Sequence, residues 1–206
     1  MKIEHYTTGP IFVNTYLVYD EESKKGFVVD PGGYSGKLAN SVREKGLSID
    51  YIILTHGHAD HIGGVAEHLK EFSNCKIVSY IDEDDILLDA KHNESTGILG
   101  RPVTIDSDIK VNDMDTMSVG NMNLTFIHTP GHTPGGMCIY VDNVLFSGDT
   151  LFRFSIGRTD FYGGSFKDIS NSIKTRLYTL PDDTLVLPGH ESSTTIGDEK
   201  KGNPFV

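Results

Sequence analysis

The chain is short of cysteine, of clustered cations and of long apolar runs, and each shortage closes off a class of protein. It holds two cysteines in 206 residues, Cys75 and Cys138. Their spacing gives no reason for a disulfide, so two reduced thiols in a reducing compartment are expected. No Lys/Arg cluster exceeds Lys24-Lys25 or Lys200-Lys201, and the formal net charge is −11. Nucleic-acid binders ordinarily carry a basic patch, so no nucleic-acid partner is expected. The acidity, for instance Asp82-Glu83-Asp84-Asp85, reads as solvated surface with nothing catalytic in it. No apolar run approaches the roughly 20 residues that cross a bilayer. Met1-Lys2-Ile3-Glu4-His5 lacks the basic and apolar regions of a signal peptide. A cytoplasmic chain with no membrane partner follows as the expectation. Internal repeats and low-complexity linkers are missing too.

With 37% hydrophobic and 23% charged residues, the chain suits a single domain over residues 1–206. Strands are predicted at 2–7, 15–19, 26–29, 49–54, 76–80, 137–140, 144–146 and, as the last, 184–187. Helices are predicted over 35–45, 64–72, 82–88 and 166–177. Residues 90–101 read as irregular loop, and 103–128 as short β runs forming hairpins. Strands outnumber helices and the helices recur between groups of strands. The pattern is α/β, with two sheets face to face and helices outside.

The densest chemistry lies in Thr55-His56-Gly57-His58-Ala59-Asp60-His61, directly after the apolar run 51–54. Neutral imidazole and carboxylate are the ligands of zinc, iron and manganese. Three further places share one local form, an apolar strand ending in a Gly or Pro turn and then His132, Asp149 or His190. Ligands on loops at the ends of rigid strands make a firm site. His56 and His58 fall on one side of an extended loop, while Asp60 and His61 sit where the chain turns into a helix, so one loop can serve two ions. Seven N/O ligands exceed one four-coordinate zinc and suit two metals that share a carboxylate and a water. His5, His68, His92 and His128 have no such context and read as structural or surface residues; His128, close to His132, could also support the ligands.

In order and spacing these motifs, with the loop Val28-Val29-Asp30-Pro31-Gly32, resemble the metallo-β-lactamase-fold hydrolases. The resemblance implies a four-layer αβ/βα sandwich with the metals at one edge. Within that family, 128–135, 147–152, Gly157-Arg158-Thr159-Asp160-Phe161 and Asn203-Pro204-Phe205 are most similar to glyoxalase II, the hydroxyacylglutathione hydrolases, in their short single-domain form. That likeness implies a first metal on His56, His58 and His132, a second on Asp60, His61 and His190, and Asp149 bridging them. It also implies a supporting role for Asp30 and a substrate contact for Arg158. Longer members carry a C-terminal helical domain for part of the glutathione pocket, and none is expected here.

The implied chemistry is hydrolysis of a small thioester, such as S-lactoylglutathione, to a hydroxy acid and a thiol. A water shared by two divalent cations ionises near neutral pH and attacks the carbonyl. Asp60 and Asp149 are read as the catalytic carboxylates that hold its proton. Zinc is the expected metal, with iron or manganese as alternatives, in a monomer or homodimer. The main rival is a persulfide dioxygenase of the same fold with one iron on His56, His132 and Asp149. A further rival is a metal-binding protein without activity. A secreted β-lactamase fits poorly, because Asp149 stands where cysteine is common. A diiron redox module would have Glu in place of His58.

Overall fold

Alternation along the strands dictates the layers. The computed structural model describes residues 1–206. Its first half runs β1 (Lys2–Thr8), β2 (Val13–Tyr19), β3 (Lys25–Val29), α1 (Gly36–Lys45), β4 (Ser48–Ile53), α2 (Ala59–Ile62), α3 (Val65–Glu71), β5 (Lys76–Tyr80), α4 (Asp84–Leu87), α5 (Ser95–Ile98) and β6 (Ile109–Val111). Its second half runs β7 (Thr116–Val119), β8 (Met122–His128), β9 (Met137–Val141), β10 (Val144–Gly148), β11 (Leu151–Phe152), β12 (Ser155–Ile156), α6 (Phe166–Thr175), β13 (Leu185–Pro188), β14 (Thr194–Thr195) and α7 (Ile196–Gly202).

Every residue of β2 is buried, and the two-residue period sorts them. Tyr16 and Val18 enter the core between the sheets, while Leu17 and Tyr19 face the outer helices. The inner core joins Phe27, Ile53 and Val78 of one sheet to Phe126, Ile139 and Phe146 of the other. Outside the first sheet, Leu38 and Val42 of α1 and Val65 of α3 cover Val28 and Ile52. Outside the second, Ile169 and Ile173 of α6 cover Leu145 and Val186. This is the four-layer αβ/βα sandwich, a mixed α/β fold.

The sheet orders are β1-β2-β3-β4-β5-β6 and β14-β13-β10-β9-β8-β7. β3 and β4 run parallel, as do β10 and β13. β8 is antiparallel to β9 and β9 to β10, so β8 shares the direction of β10. In each sheet the loops of interest therefore leave at one common edge. Backbone bonds tie those two edges together: Met137 N–H donates to the Thr55 carbonyl at 2.9 Å, and Asn14 N–H donates to that of Gly189 at 2.7 Å.

The predicted elements largely stand, with local corrections. α1 starts at its Ser35 cap, whose Oγ accepts the Leu38 N–H at 3.2 Å, and stops at Gly46 with φ of 63°. Residues 103–128 hold one hairpin, β7–β8; β6 instead joins the first sheet, parallel to β5. The loop at 90–101 contains the single turn α5, and α6 ends at Thr175 before a 3₁₀ turn at Leu177–Thr179. β13 is not the last strand, since β14 and α7 follow, α7 capped by Thr195. Their sequence is polar and short-range, and pairing with the edge of β13 supplies what periodicity does not. Both cysteines are free, and no helix is long and apolar enough to cross a membrane.

Glu4 on β1 locks the first hairpin to α1. It accepts hydrogen bonds from Tyr6 and Ser41 at 2.6 Å each and from Tyr19 at 3.0 Å, and meets Lys45 Nζ at 3.1 Å. Burial alone would raise its carboxyl, but Ser41, Tyr6, Lys45 and Tyr19 together bring it down to about 2. A depressed carboxylate stabilises the fold above its unfolded value and loses that contribution as pH falls toward its folded one. With screening allowed for, Glu4→Gln should cost about 1–2 kcal/mol at pH 7. Urea unfolding should show the gap between variant and parent narrowing from pH 4.5 to pH 2. A gap independent of pH would show that the ionised carboxylate is not its source.

Candidate metal centre

Each site residue sits just past the end of a strand. His56 and His58 follow β4, His58 in extended backbone (φ −63°, ψ 147°) as it enters α2, which carries Asp60 and His61 in its single turn. His132 follows β8, Asp149 follows β10 and His190 follows β13. Gly148, at φ of 48°, lets the chain pass against Thr55, whose side chain a Cβ there would strike. That close approach seats Asp149 beside the histidine loop.

All seven predicted ligands converge. Two sets that share no residue have ligand atoms within 4.8 Å of one another, His56, His58 and His132, and Asp60, His61 and His190; a third group, Asp30, His56 and His61, spans them. Asp149 lies between the sets. Its Oδ1 is 3.3 Å from His61 Nε2, and its Oδ2 is 3.6 Å from His132 Nε2 and 3.8 Å from His190 Nε2. His58 Nδ1 and His132 Nε2 are 2.9 Å apart. His56 Nε2, His58 Nε2, His61 Nε2 and Asp149 Oδ1 are buried without any hydrogen-bond partner. Orphaned buried polar atoms are costly, and this set of imidazole and carboxylate donors fits divalent cations.

Neighbouring groups orient the rings. Asp30 accepts from Thr55 N–H at 2.8 Å and Thr55 Oγ1 at 2.6 Å, and its Oδ2 lies 2.9 Å from His61 Nδ1. It is buried and adopts φ of 48°, unusual for a residue with a side chain. His132 Nδ1–H donates to the Arg158 carbonyl at 2.7 Å, which turns Nε2 inward. Burial, then the neighbouring imidazoles, pushes His56 far down. Burial and His132 bring His58 down to about 3, and burial lowers His132. These rings are neutral, the form that binds metal. His61 is the exception: burial would lower it, but Asp60, Asp149 and Asp30 together raise it well above the usual histidine range. Burial alone would raise Asp60 and Asp149, yet His61 holds both below the ordinary carboxylate range.

The cluster opens into a cavity of about 300 Å³, with Ile11, Ile98, Phe152 and Phe161 as its apolar walls and Glu94 and Arg158 among its polar ones. Arg158 thus reaches the cavity, but its Nε and Nη2 are bound to Asp160 at 2.9 and 2.7 Å and it lies 4.3 Å over Phe161. The wall residues come from four separate segments, and nothing in the sequence groups them. The solvated reading of the acidic run fails at one residue: Glu83 is fully buried and bonded to both histidine loops. Its helical spacing to the buried Ile86 and Leu87 was the available signal. His128 Nε2–H donates to the Pro134 carbonyl at 2.9 Å, bracing the loop after His132. His5, His68 and His92 lie apart from the cluster, His68 accepting the Ser35 N–H and His92 stacked on Tyr162.

Known proteins resemble this chain. The family described as Metallo-beta-lactamase superfamily matches residues 8–190. A hydroxyacylglutathione hydrolase, GloC, of Haemophilus influenzae is 35% identical over 212 residues, covering 100% of this chain and 98% of its own. A probable metallo-hydrolase of Bacillus subtilis, YqgX, is 36% identical over 209 residues, with 100% and 98% covered. Among solved structures, the BLEG-1 B3 metallo-beta-lactamase superposes with a TM-score of 0.91 at 36% identity, 99% of each chain covered. TTHA1623 in a di-iron-bound form gives 0.84 at 31%, covering 98% of this chain and 100% of that one. ETHE1 from Myxococcus xanthus gives 0.80 at 27%, covering 99% and 84%.

Asp30→Asn tests the orientation of His61. An amide NH₂ facing Nδ1 drives the ring's proton to Nε2 and turns its lone pair away from the cluster. The variant should bind divalent cations about 10–100-fold more weakly, read by zinc competition with a chromophoric chelator. Parental affinity in a folded Asp30→Asn protein would show that Asp30 does not set the tautomer.

Proposed function

The chain belongs to the metallo-beta-lactamase superfamily, and on that premise we propose that it is a two-metal thioester hydrolase of the glyoxalase II kind. The observation that carries this reading is Asp149 standing between two complete ligand sets, within 4 Å of members of each. His56, His58 and His132 would hold one cation, Asp60, His61 and His190 the other, with Asp149 reaching both. Bound there, two divalent cations would supply Lewis acidity and lower the pKa of a shared water toward neutrality.

The remaining tasks fall to the chain. Asp60 and Asp149, both held below the ordinary carboxylate range, accept the hydrogen bond that orients the attacking water. Ile11, Ile98, Phe152 and Phe161 line the cavity with apolar surface that excludes bulk water around the acyl group. Arg158, held in place by Asp160, is the side chain assigned to the substrate's polar end. A thiolate leaves without a strong general acid. Zinc is the first choice of metal, and the likeness to a di-iron-bound protein supports iron. The likeness to ETHE1 supports one second reading, persulfide oxygenation at a single iron on His56, His132 and Asp149.

The two readings separate in one set of assays on protein loaded with zinc, iron or manganese. Thiol release from S-lactoylglutathione is expected, without oxygen uptake on glutathione persulfide. His58→Ala should lower kcat/KM by about 100-fold or more, roughly 2.7 kcal/mol of transition-state stabilisation. Unchanged turnover after replacing Asp60, His61 and His190 together would sink two-metal hydrolysis.

A further inference from the structure

We propose that Glu83 is a positioning residue for the His56–His58–His132 set alone, fixing the distance between the two loops that carry it. This rests on the two-cation reading above. Glu83 ends the 3₁₀ turn that leads into α4 and has no exposed surface. Its Oε1 accepts the Gly57 N–H at 2.7 Å. Its Oε2 accepts the Thr133 hydroxyl at 2.9 Å and the Gly135 N–H at 2.8 Å. Gly57 stands between His56 and His58, and Thr133 follows His132 directly. One carboxylate therefore gives one oxygen to a loop of the first sheet and the other to a loop of the second.

The geometry leaves little slack. A Cβ at Gly57 would come within 3.0 Å of Ile86 and Leu87, so α4 packs directly on the histidine loop. His58 Nδ1 and His132 Nε2 are held 2.9 Å apart, a separation that any slip between the two loops would change. No lysine, arginine or histidine pairs with Glu83. Burial, the largest influence, raises its carboxyl to about 8 against the pull of Gly57, Thr133 and Gly135. A side chain chosen only for stability would be apolar at such a place. A carboxyl group kept there and met by three donors acts by fixing geometry, and both loops it fixes carry ligands of one set.

The second set is tied elsewhere. Asp60 and His61 share α2, and His61 is oriented by Asp30. His190 follows Pro188, whose carbonyl accepts from Asn14 Nδ2 at 3.0 Å and Tyr16 OH at 2.8 Å. None of these groups bonds to Glu83, so the two sets should respond separately when it is changed.

Glu83→Gln preserves shape but replaces one acceptor oxygen with an NH₂. It cannot satisfy three donors and sets an amide hydrogen against one of them. Cobalt titration of the full chain, followed by visible absorption and chelator competition, should resolve two binding steps, assigned by the loss of one in His58→Ala and of the other in His190→Ala. In Glu83→Gln the step lost in His58→Ala should weaken about 10–100-fold, with the other unchanged. Equal weakening of both steps, or of neither, overturns the proposal. A parent chain that binds a single ion overturns the two-cation reading instead. The Glu83 proposal then also falls if His58→Ala abolishes that binding and Glu83→Gln leaves it intact, and stands if both weaken it. If Glu83→Gln does not fold by circular dichroism, Thr133→Ala, which removes one of the three bonds, carries the same test with a smaller, same-signed loss at the one step.

Discussion

His61 is buried among three carboxylates: its Nδ1 is 2.9 Å from Asp30, and its Nε2 is 3.5 Å from Asp60 and 3.3 Å from Asp149. Ionised carboxylates out of water require positive charge beside them. These acids draw His61 toward its charged form, while burial lowers the neighbouring His56, His58 and His132. The site is therefore built with a deficit of positive charge and a surplus of lone pairs. Divalent cations answer both needs. The fold's unusual features gather around this point: the positive φ of Asp30, the glycine turn before Asp149 and the polar atoms left without partners.

Two sheets must end at one edge for this cluster to exist, because no single strand carries it. The first sheet contributes the loops after β3 and β4, the second those after β8, β10 and β13. The alternation that fills the inner core with Phe27, Phe126 and Phe146 also holds the sheets in register. The bonds from Met137 to Thr55 and from Asn14 to Gly189 carry that register out to the edge. Rigidity of the scaffold becomes rigidity of the ligands because each ligand lies so close to a strand end. The walls of the cavity are different in kind. Ile11 and Phe161 stand on loops, Ile98 on the single turn α5 and Phe152 on β11 of the small β11–β12 hairpin, all outside the two main sheets, where substrate preference can vary without disturbing the centre.

The residues that gather at the candidate metal centre were legible before any coordinates, as was Asp30 beside them, while Glu83 and the apolar walls were not. A run such as His56-Gly57-His58-Ala59-Asp60-His61 has no place in an ordinary core, so its composition alone announces its use. Asp149 and His190 share the repeated form of apolar strand, tight turn and ligand, and the family resemblance ordered them into sets. Glu83 had no such mark. Among Asp82, Asp84 and Asp85 it read as surface, and only the fold turns it inward, against loops some 26 and 50 positions away along the chain. The strand β6 and the terminal pair β14–α7 were hidden for a related reason: strands of two or three residues owe their existence to an existing sheet edge rather than to their own periodicity.

The sequence by itself determined the layers and the ligands, because a two-residue hydrophobic alternation and a cluster of imidazoles are local properties that survive in any one-dimensional reading. Tertiary structure decided the distances on which the site's division and support depend. Asp149 lies between the two sets because β10 runs beside β13 and the sheets close on a common edge. Asp30 reaches His61, Glu83 joins two loops, and Arg158 is tied to Asp160 over Phe161 rather than left free. Each of these depends on distances of about 3 Å between side chains whose positions the whole fold must fix, and hydrogen bonds and charge interactions are sensitive to separations on that scale.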